Sequence, residues 1–412
     1  MTDLEDLYKD KKNWLFPEVY QIGGSSPLDD INEAEAFLIN ELERDPSRPV
    51  VINFSGGKDS LGCLALTVQA LRRLNDKRRP TILSSVTGYE QNDFFPWFEY
   101  LKTALFPSFN WITVKPTAFT SYVVETIGLG KPPVNMPNMR QCNGRWKQYP
   151  LQLAKEILTA ENGKYLSIVG TRAEESPRRR KRIEADGRLG SISGAKFCQP
   201  LGWITAATLW SWLNDNLEDL TGVKFDRLQD YYSNKGRDGC WLCSYHHDWS
   251  TLSPFQKWVQ EFQAAIWEKA TKNSDIFPLA ERDPSAKKHV PIWLTPYVTQ
   301  SCRSSLERRK QWFEEVVAAD KRFGENYIKP VHIDFIHEIW NYQETYIDDY
   351  GLHAATKHWN YYKSDYLPKM LKPYLYPIAF KQKTRRDGSV IDCVNKGEVL
   401  FYNKVGHGDL RR

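Results

Sequence analysis

No stretch of the 412 residues approaches the ~20 consecutive apolar positions that a membrane-spanning helix needs. The opening residues Met1-Thr2-Asp3-Leu4-Glu5-Asp6 are acidic and lack a basic-then-apolar leader pattern. These two absences make a cytoplasmic chain with no membrane partner the expectation. Cysteine is scarce: the seven present form no disulfide scaffold for a chain this long, which fits a reducing compartment. Neither sign of charge dominates. With 56 Lys and Arg against 51 Asp and Glu, the net +5 is too small to argue for nucleic acid by itself. Internal repeats and long low-complexity segments are missing, which excludes a solenoid or a biased tail.

What is present is more specific. Fifteen tryptophans are scattered along the chain, Trp97, Trp111, Trp146, Trp203, Trp210, Trp212 and Trp241 among them, and most are expected in cores or domain contacts. Arg178-Arg179-Arg180-Lys181-Arg182 places five cations in a row. Such a run is either a solvated loop or a contact for a polyanion.

Residues 1 to about 48 read as a polar, mostly helical preface, with a helical rhythm from Ile31 to Leu42. Pro49 to Phe54 then reads as a short buried strand, followed by a glycine-bearing loop and a helix from Leu61 to Leu74. Strands at Thr81–Val86, Trp111–Val114 and Tyr165–Val169 alternate with helices near 94–105 and 150–160, and a further helix is expected near 206–216. That alternation predicts an α/β fold, a Rossmann-like parallel sheet flanked by helices. Beyond about residue 250, helical segments near 254–272, 304–320 and 331–348 dominate. Residues 389–392 and 398–402 read as a small hairpin. The expected organisation is 1–48, 49–250 and a mostly helical 251–412.

The strongest local signal is Ser55-Gly56-Gly57-Lys58-Asp59-Ser60 between a strand and a helix. Adjacent glycines let backbone N–H groups turn inward around an anion, and the helix N-terminus adds favourable partial charge. Ser55 and Ser60 can donate hydroxyls, Lys58 supplies a cation, and Asp59 can cap the helix or help to hold Mg²⁺. The spacing differs from the Gly-x-x-x-x-Gly-Lys-Ser/Thr phosphate loop.

This hexapeptide resembles the PP-loop of the ATP pyrophosphatases, which cleave ATP between the α and β phosphates. Further motifs are similar to the phosphoadenylylsulfate (PAPS) reductase-like branch. They are Thr87-Gly88, where Val86 stands in place of that family's aspartate; Cys142 with Lys147 and Pro150-Leu151; Gly170-x-Arg172-x-x-Glu175-Ser176 with Arg179; and, more weakly, Pro200-Leu201-Gly202-Trp203. The resemblance covers roughly residues 48 to 250 and implies an adenine nucleotide alpha-hydrolase-like fold with ATP and Mg²⁺ as cofactors. It implies a site in which Lys58, Asp59, Arg172 and Glu175 act on the reaction, with the loop, Thr87, Gly88, Lys147, Gly170, Ser176 and Arg179 around the nucleotide. Arginine forks onto phosphate or sulfate oxygens bidentately, which suits Arg172 and Arg179 to that task.

Gly239-Cys240-Trp241-Leu242-Cys243 places two thiolates at metal-ligand spacing. With Cys142 it resembles the members that bind a [4Fe-4S] cluster; zinc held by Cys142, Cys240, Cys243 and a histidine is the alternative. Cys198, His246, His247 and Cys302 are candidate fourth ligands, while Cys63 is expected in the core and Cys393 has no matching partner. Joining this cysteine pair to Ser-Gly-Gly-Lys-Asp-Ser resembles the DNA phosphorothioation (DndC-like) branch. That resemblance implies an ATP-dependent sulfurtransferase with a nucleic-acid substrate and a sulfur-donor protein such as a cysteine desulfurase. The other readings are a PAPS reductase, whose usual C-terminal Glu-Cys-Gly is missing here, and a nucleotide-sensing module of a defence or regulatory complex.

Overall fold

The computed structural model describes residues 30–128, 142–192, 195–233, 240–242, 252–272, 306–341, 380–384, 390–394 and 397–403. Of the expected preface, residues 1–29 lie outside the described residues, as does the end of the helix anticipated over 331–348.

The chain enters through α1 (Ile31–Glu43), N-capped by the Asp30 carboxylate, which accepts from Asn32 N. Strand β1 (Val50–Phe54) feeds α2 (Lys58–Arg73) through the glycine loop. Then come β2 (Thr81–Ser85), α3 (Phe94–Leu105) and β3 (Asn110–Pro116). Short π-helical turns at Val124–Gly128 and Asn143–Gln148 precede α4 (Tyr149–Asn162) and β4 (Leu166–Val169). Next are α5 (Pro177–Asp186), the antiparallel pair β5 (Leu189–Ile192) and β6 (Ala195–Cys198), α6 (Ala206–Thr221) and α7 (Phe225–Ser233). Two long helices, α8 (Pro254–Lys272) and α9 (Leu306–Phe323), and helical turns over 330–341 follow. Strands β7 (Phe380–Thr384), β8 (Val390–Val394) and β9 (Gly397–Asn403) come last.

Seven strands form one sheet in the order β5-β6-β4-β1-β2-β3-β9. The interior pairs β6/β4, β4/β1, β1/β2 and β2/β3 are parallel, and the two edges are antiparallel. Period-two alternation divides the side chains between two cores. Val50, Ile52, Phe54, Ile82, Trp111, Leu166 and Ile168 pack with α1, α2, α3 and α6 on one face. Val51, Leu83, Ile112 and Val114 pack against Ala154 and Leu158 of α4 on the other. This is the Rossmann-like sheet flanked by helices that the alternation predicts.

Chain order decides where a ligand can enter. From β1 the chain steps through α2 and α3 to β2 and β3; α4 then returns it over the opposite face to β4, on the other side of β1. Right-handed crossovers require that change of face when the direction of winding reverses. The loops after β1 and β4 therefore diverge at a topological switch point, where open α/β sheets bind ligands.

One strand expectation is corrected. The segments at 389–392 and 398–402 do not pair with each other. Strand β8 pairs with β7 in a separate two-stranded sheet, and β9 pairs with β3 at the edge of the main sheet. Local pattern identifies such strands but does not choose their partners. Here Val399 also packs on the Val114 and α4 side of the sheet, so burial favours the distant edge.

Candidate functional site

The loop after β1 is shaped by a left-handed glycine. Gly56 has φ +81°, a left-handed backbone that favours glycine, and a Cβ there would lie 3.3 Å from Leu101 Cδ1, which would have to give by a few tenths of an ångström. Gly57 is the N-cap of α2 and contributes no capping side chain. Around it, Ser60 Oγ donates to Gly57 O (2.8 Å) and lies 3.4 Å from Ser55 Oγ. The two serines thus face one another across the turn.

Two aromatic residues that sequence reading did not assign to the site hold this loop. Trp97 Nε1 donates to Gly56 O (2.9 Å), and the Tyr232 hydroxyl accepts from Lys58 N (3.2 Å) while its ring lies 5.4 Å from Lys58 Nζ. The Trp97 ring also stacks on Tyr231 at 4.9 Å. Tryptophan abundance was a general signal for such contacts, but nothing in the local pattern marked Trp97 or Tyr232 individually.

The loop after β4 closes on the first from across the switch point. Gly170 approaches α2 so nearly that a Cβ would lie 2.7 Å from Asp59 O and 3.1 Å from Ser60 N. Arg172, only 3% exposed, donates from Nε to Asp59 Oδ1 (2.5 Å) and from one terminal nitrogen to Glu174 (2.6 Å) and Ile204 O (3.3 Å). Burial opposes its charge, but the Asp59 and Glu174 carboxylates outweigh burial and raise the guanidinium pKa. The other Asp59 oxygen lies 3.3 Å from Lys58 Nζ.

Asp59 therefore stands between two cations, and Arg172 has partners other than the phosphate oxygens that its residue type suggests. In this arrangement Asp59 links Lys58 to Arg172. Glu174 extends the link by accepting from Ala206 N (2.6 Å) at the start of α6.

Glu175 accepts from Arg172 N (3.0 Å) and pairs with Arg179, while Ser176 caps α5 by accepting from Arg179 N (3.3 Å). The five-cation run lies on this helix and not in a solvated loop. Arg178, Lys181 and Arg182 are exposed there, with Arg182 also over the Phe197 ring at 5.2 Å.

Thr87 and Gly88 form a turn at the end of β2 that Glu90 holds with three donors. The Glu90 carboxylate accepts from Thr87 N (2.6 Å), Thr87 Oγ1 (2.7 Å) and Gly88 N (2.9 Å). Glu90 also forms an isolated antiparallel bridge with Cys240. Lys147 is exposed in the π-helical turn that follows Cys142.

Cys142 and Cys240 are both partly buried and pack against the same cluster of buried residues, which includes Tyr89, Trp146 and Trp241. Both candidate ligands therefore lie beside one core. Cys243, His246, His247 and Cys302 lie outside the described residues. Among the described residues, no group of three or more His, Cys, Asp or Glu side chains forms a metal site.

Cys198 is an unsuitable fourth ligand. It is fully buried at the end of β6 in the sheet core with Cys63, where burial raises both thiol pKa values. Among the described residues, no helix is long and apolar enough to cross a membrane.

No protein-family model matches the chain, and no curated protein does. Among solved structures it is similar to a PAPS reductase from Candida auris in a phosphate complex: 16% identity, 53% of this chain, 98% of that one, TM-score 0.34. An FMN adenylyltransferase from Candida glabrata, in complex with FMN and the ATP analogue AMPCPP, aligns at 15% identity over 51% of this chain and 63% of that one, with TM-score 0.29. An NAD⁺ synthetase from Burkholderia pseudomallei aligns at 16% identity over 60% and 93%, with TM-score 0.31.

Proposed function

We propose that the chain binds ATP at the loop Ser55–Ser60 and cleaves it between the α and β phosphates, adenylating a substrate for sulfur transfer. The carrying observation is the pairing of two loops across the switch point. Arg172 after β4 reaches Asp59 at the head of α2, so the phosphate-binding turn and the arginine-bearing turn form one rigid unit.

In this reading the triphosphate lies over the N-terminus of α2. Backbone N–H groups and the Ser55 and Ser60 hydroxyls receive the β and γ phosphates, with Lys58 as the movable cation. Arg172, held by Asp59 and Glu174, fixes the position of the second loop against the first. A substrate oxygen attacks the α-phosphorus, pyrophosphate leaves, and a sulfur nucleophile then displaces AMP from the activated substrate. Magnesium, when bound to ATP, would reduce repulsion between the polyphosphate and the attacking oxygen.

The substrate we favour is nucleic acid, with phosphorothioation of DNA as the specific reaction. The exposed cations of α5 begin only a few residues after Arg172 and suit a phosphate backbone. Sulfur would arrive from a donor protein such as a cysteine desulfurase. Cys142, Cys240 and Cys243 would hold a [4Fe-4S] cluster, which supplies a site for sulfur or electron transfer when bound.

Pyrophosphate release from ATP, measured with and without DNA or tRNA, tests this reading. The wild-type chain should release pyrophosphate and AMP, and Lys58→Ala should lose that activity by at least tenfold. ADP as the product, or full activity in Lys58→Ala, would remove the loop from the proposed chemistry.

A further inference from the structure

Tyr89 lies where the turn after β2 meets the segments that carry Cys142 and Cys240. Its main chain belongs to the turn after β2 that Glu90 holds through Thr87 and Gly88. Its carbonyl accepts from Trp241 N (2.8 Å), while the neighbouring Glu90 bridges Cys240. The ring is 5% exposed; its centroid lies 4.7 Å from that of Trp146 and 6.0 Å from that of Trp241. Its hydroxyl accepts from Tyr122 N (2.7 Å).

The two tryptophans tie Tyr89 to the cysteines by short stretches of chain. Trp241 follows Cys240 directly, and its carbonyl accepts from Gln260 of α8. Trp146 lies in the π-helical turn capped by Cys142 and donates from Nε1 to Thr120 O (2.7 Å). Close-packed aromatic groups fixed by hydrogen bonds transmit displacement, because they have little free volume in which to absorb it. A shift of the turn at Thr87-Gly88 would act on Tyr89 through its main chain, and a shift of Tyr89 would press on the rings of both tryptophans.

We propose that Tyr89 is a positioning residue that couples nucleotide occupancy beside Thr87-Gly88 to the exposure of Cys142 and Cys240 together. The inference rests on the nucleotide reading above and adds a physical route from that site to the cysteines. A ligand shifts such an equilibrium only through different affinities for its two arrangements, so the effect must also appear as a nucleotide-dependent change at the thiols.

The test uses the full chain in metal-free buffer, with an ATP analogue carrying a methylene between the α and β phosphates. Alkylation of each cysteine by iodoacetamide is followed by peptide mass spectrometry, and analogue binding is measured separately by calorimetry. Saturating analogue should change the Cys142 and Cys240 rates in parallel by roughly fivefold or more. Buried Cys63 and Cys198 should stay unlabelled and serve as the folding control.

Tyr89→Phe, which keeps the ring, should keep the response. Tyr89→Leu should lose it without losing analogue affinity, and a folded Tyr89→Leu chain with the full response would overturn the proposal. If Tyr89→Leu exposes Cys63 and Cys198, Trp146→Phe decides instead: the Cys142 response should weaken while that of Cys240 persists. An unchanged Cys142 response in Trp146→Phe would overturn the proposal. Analogue binding to the wild type with neither rate altered would overturn it while leaving the nucleotide reading intact. Absence of analogue binding would overturn both.

Discussion

Gly170→Ala is the most demanding test of the contact between the two loops. A Cβ at Gly170 would lie 2.7 Å from Asp59 O, 2.8 Å from Asp59 C and 3.1 Å from Ser60 N. All three are main-chain atoms in the first turn of α2, so no side-chain rotation relieves the overlap. Reaching ordinary contact requires the loop and the helix to separate by about 0.7 Å. Overpacking of this kind costs about 1–3 kcal/mol. The same separation would lengthen the Arg172–Asp59 contact, now 2.5 Å. A displacement approaching 1 Å in a positioned site is associated with losses on the order of 100-fold in rate.

Urea denaturation should therefore show Gly170→Ala destabilised by about 1–3 kcal/mol. The pyrophosphate-release assay should show at least a tenfold loss in kcat/KM. Gly62→Ala is the matched control, because its Cβ would also meet an atom at 2.7 Å, but that atom is a terminal methyl of Leu209. A side-chain methyl can move by a small rotation, so Gly62→Ala should keep most of both its stability and its activity. Wild-type stability and activity in Gly170→Ala would refute the argument that the two loops act as one rigid unit.

Asp59→Asn should destabilise the chain by about 1–3 kcal/mol, since Arg172 is buried and would keep only Glu174 as a carboxylate partner; equilibrium urea denaturation checks this. Among titrating groups, His332 is held neutral: burial, helped by the nearby Lys329 charge, lowers its pKa to about 4 from an unfolded value of 6.5. Its Nδ1 accepts from Lys329 N (3.2 Å), a bond that protonation would break. Its contribution to stability is present above pH 6.5 and is lost as pH falls toward 4, by about 1–2 kcal/mol after allowance for partial solvent exposure. Urea midpoints for wild type and His332→Asn should converge over that range; parallel curves would contradict the assignment. Protein purified without oxygen should be brown, with broad absorbance near roughly 400 nm, and should lose the colour in Cys240→Ala. Colourless protein with one zinc per chain would favour the zinc alternative. Turnover of PAPS with thioredoxin, in place of ATP cleavage, would favour the reductase reading.

Much of the α/β core could be read locally. A short apolar run, two glycines and a helical apolar rhythm identify β1, its loop and α2 because each depends on neighbours close in sequence. The observed α3, Phe94–Leu105, matches the expected bounds for the same reason. Helix α5 was harder to read, because its charged run has little apolar periodicity and depends on Ser176, Pro177 and Ile183 for its start and anchorage.

The candidate site divides along the same line. Residue types around 55–60 and 170–179 suit anion binding, and the spacing of Cys240 and Cys243 suits a pair of metal ligands, both as readings of residue type alone. Only the tertiary structure pairs Arg172 with Asp59, brings Trp97 and Tyr232 onto the loop, and places Tyr89 between Thr87-Gly88 and the cysteine segments. It likewise decides that β9 closes on β3 instead of pairing with β8. The physical reason is separation along the chain: strand, loop and helix preferences arise among near neighbours, whereas partner choice depends on which distant groups folding buries together and leaves in need of a hydrogen bond or a counter-charge.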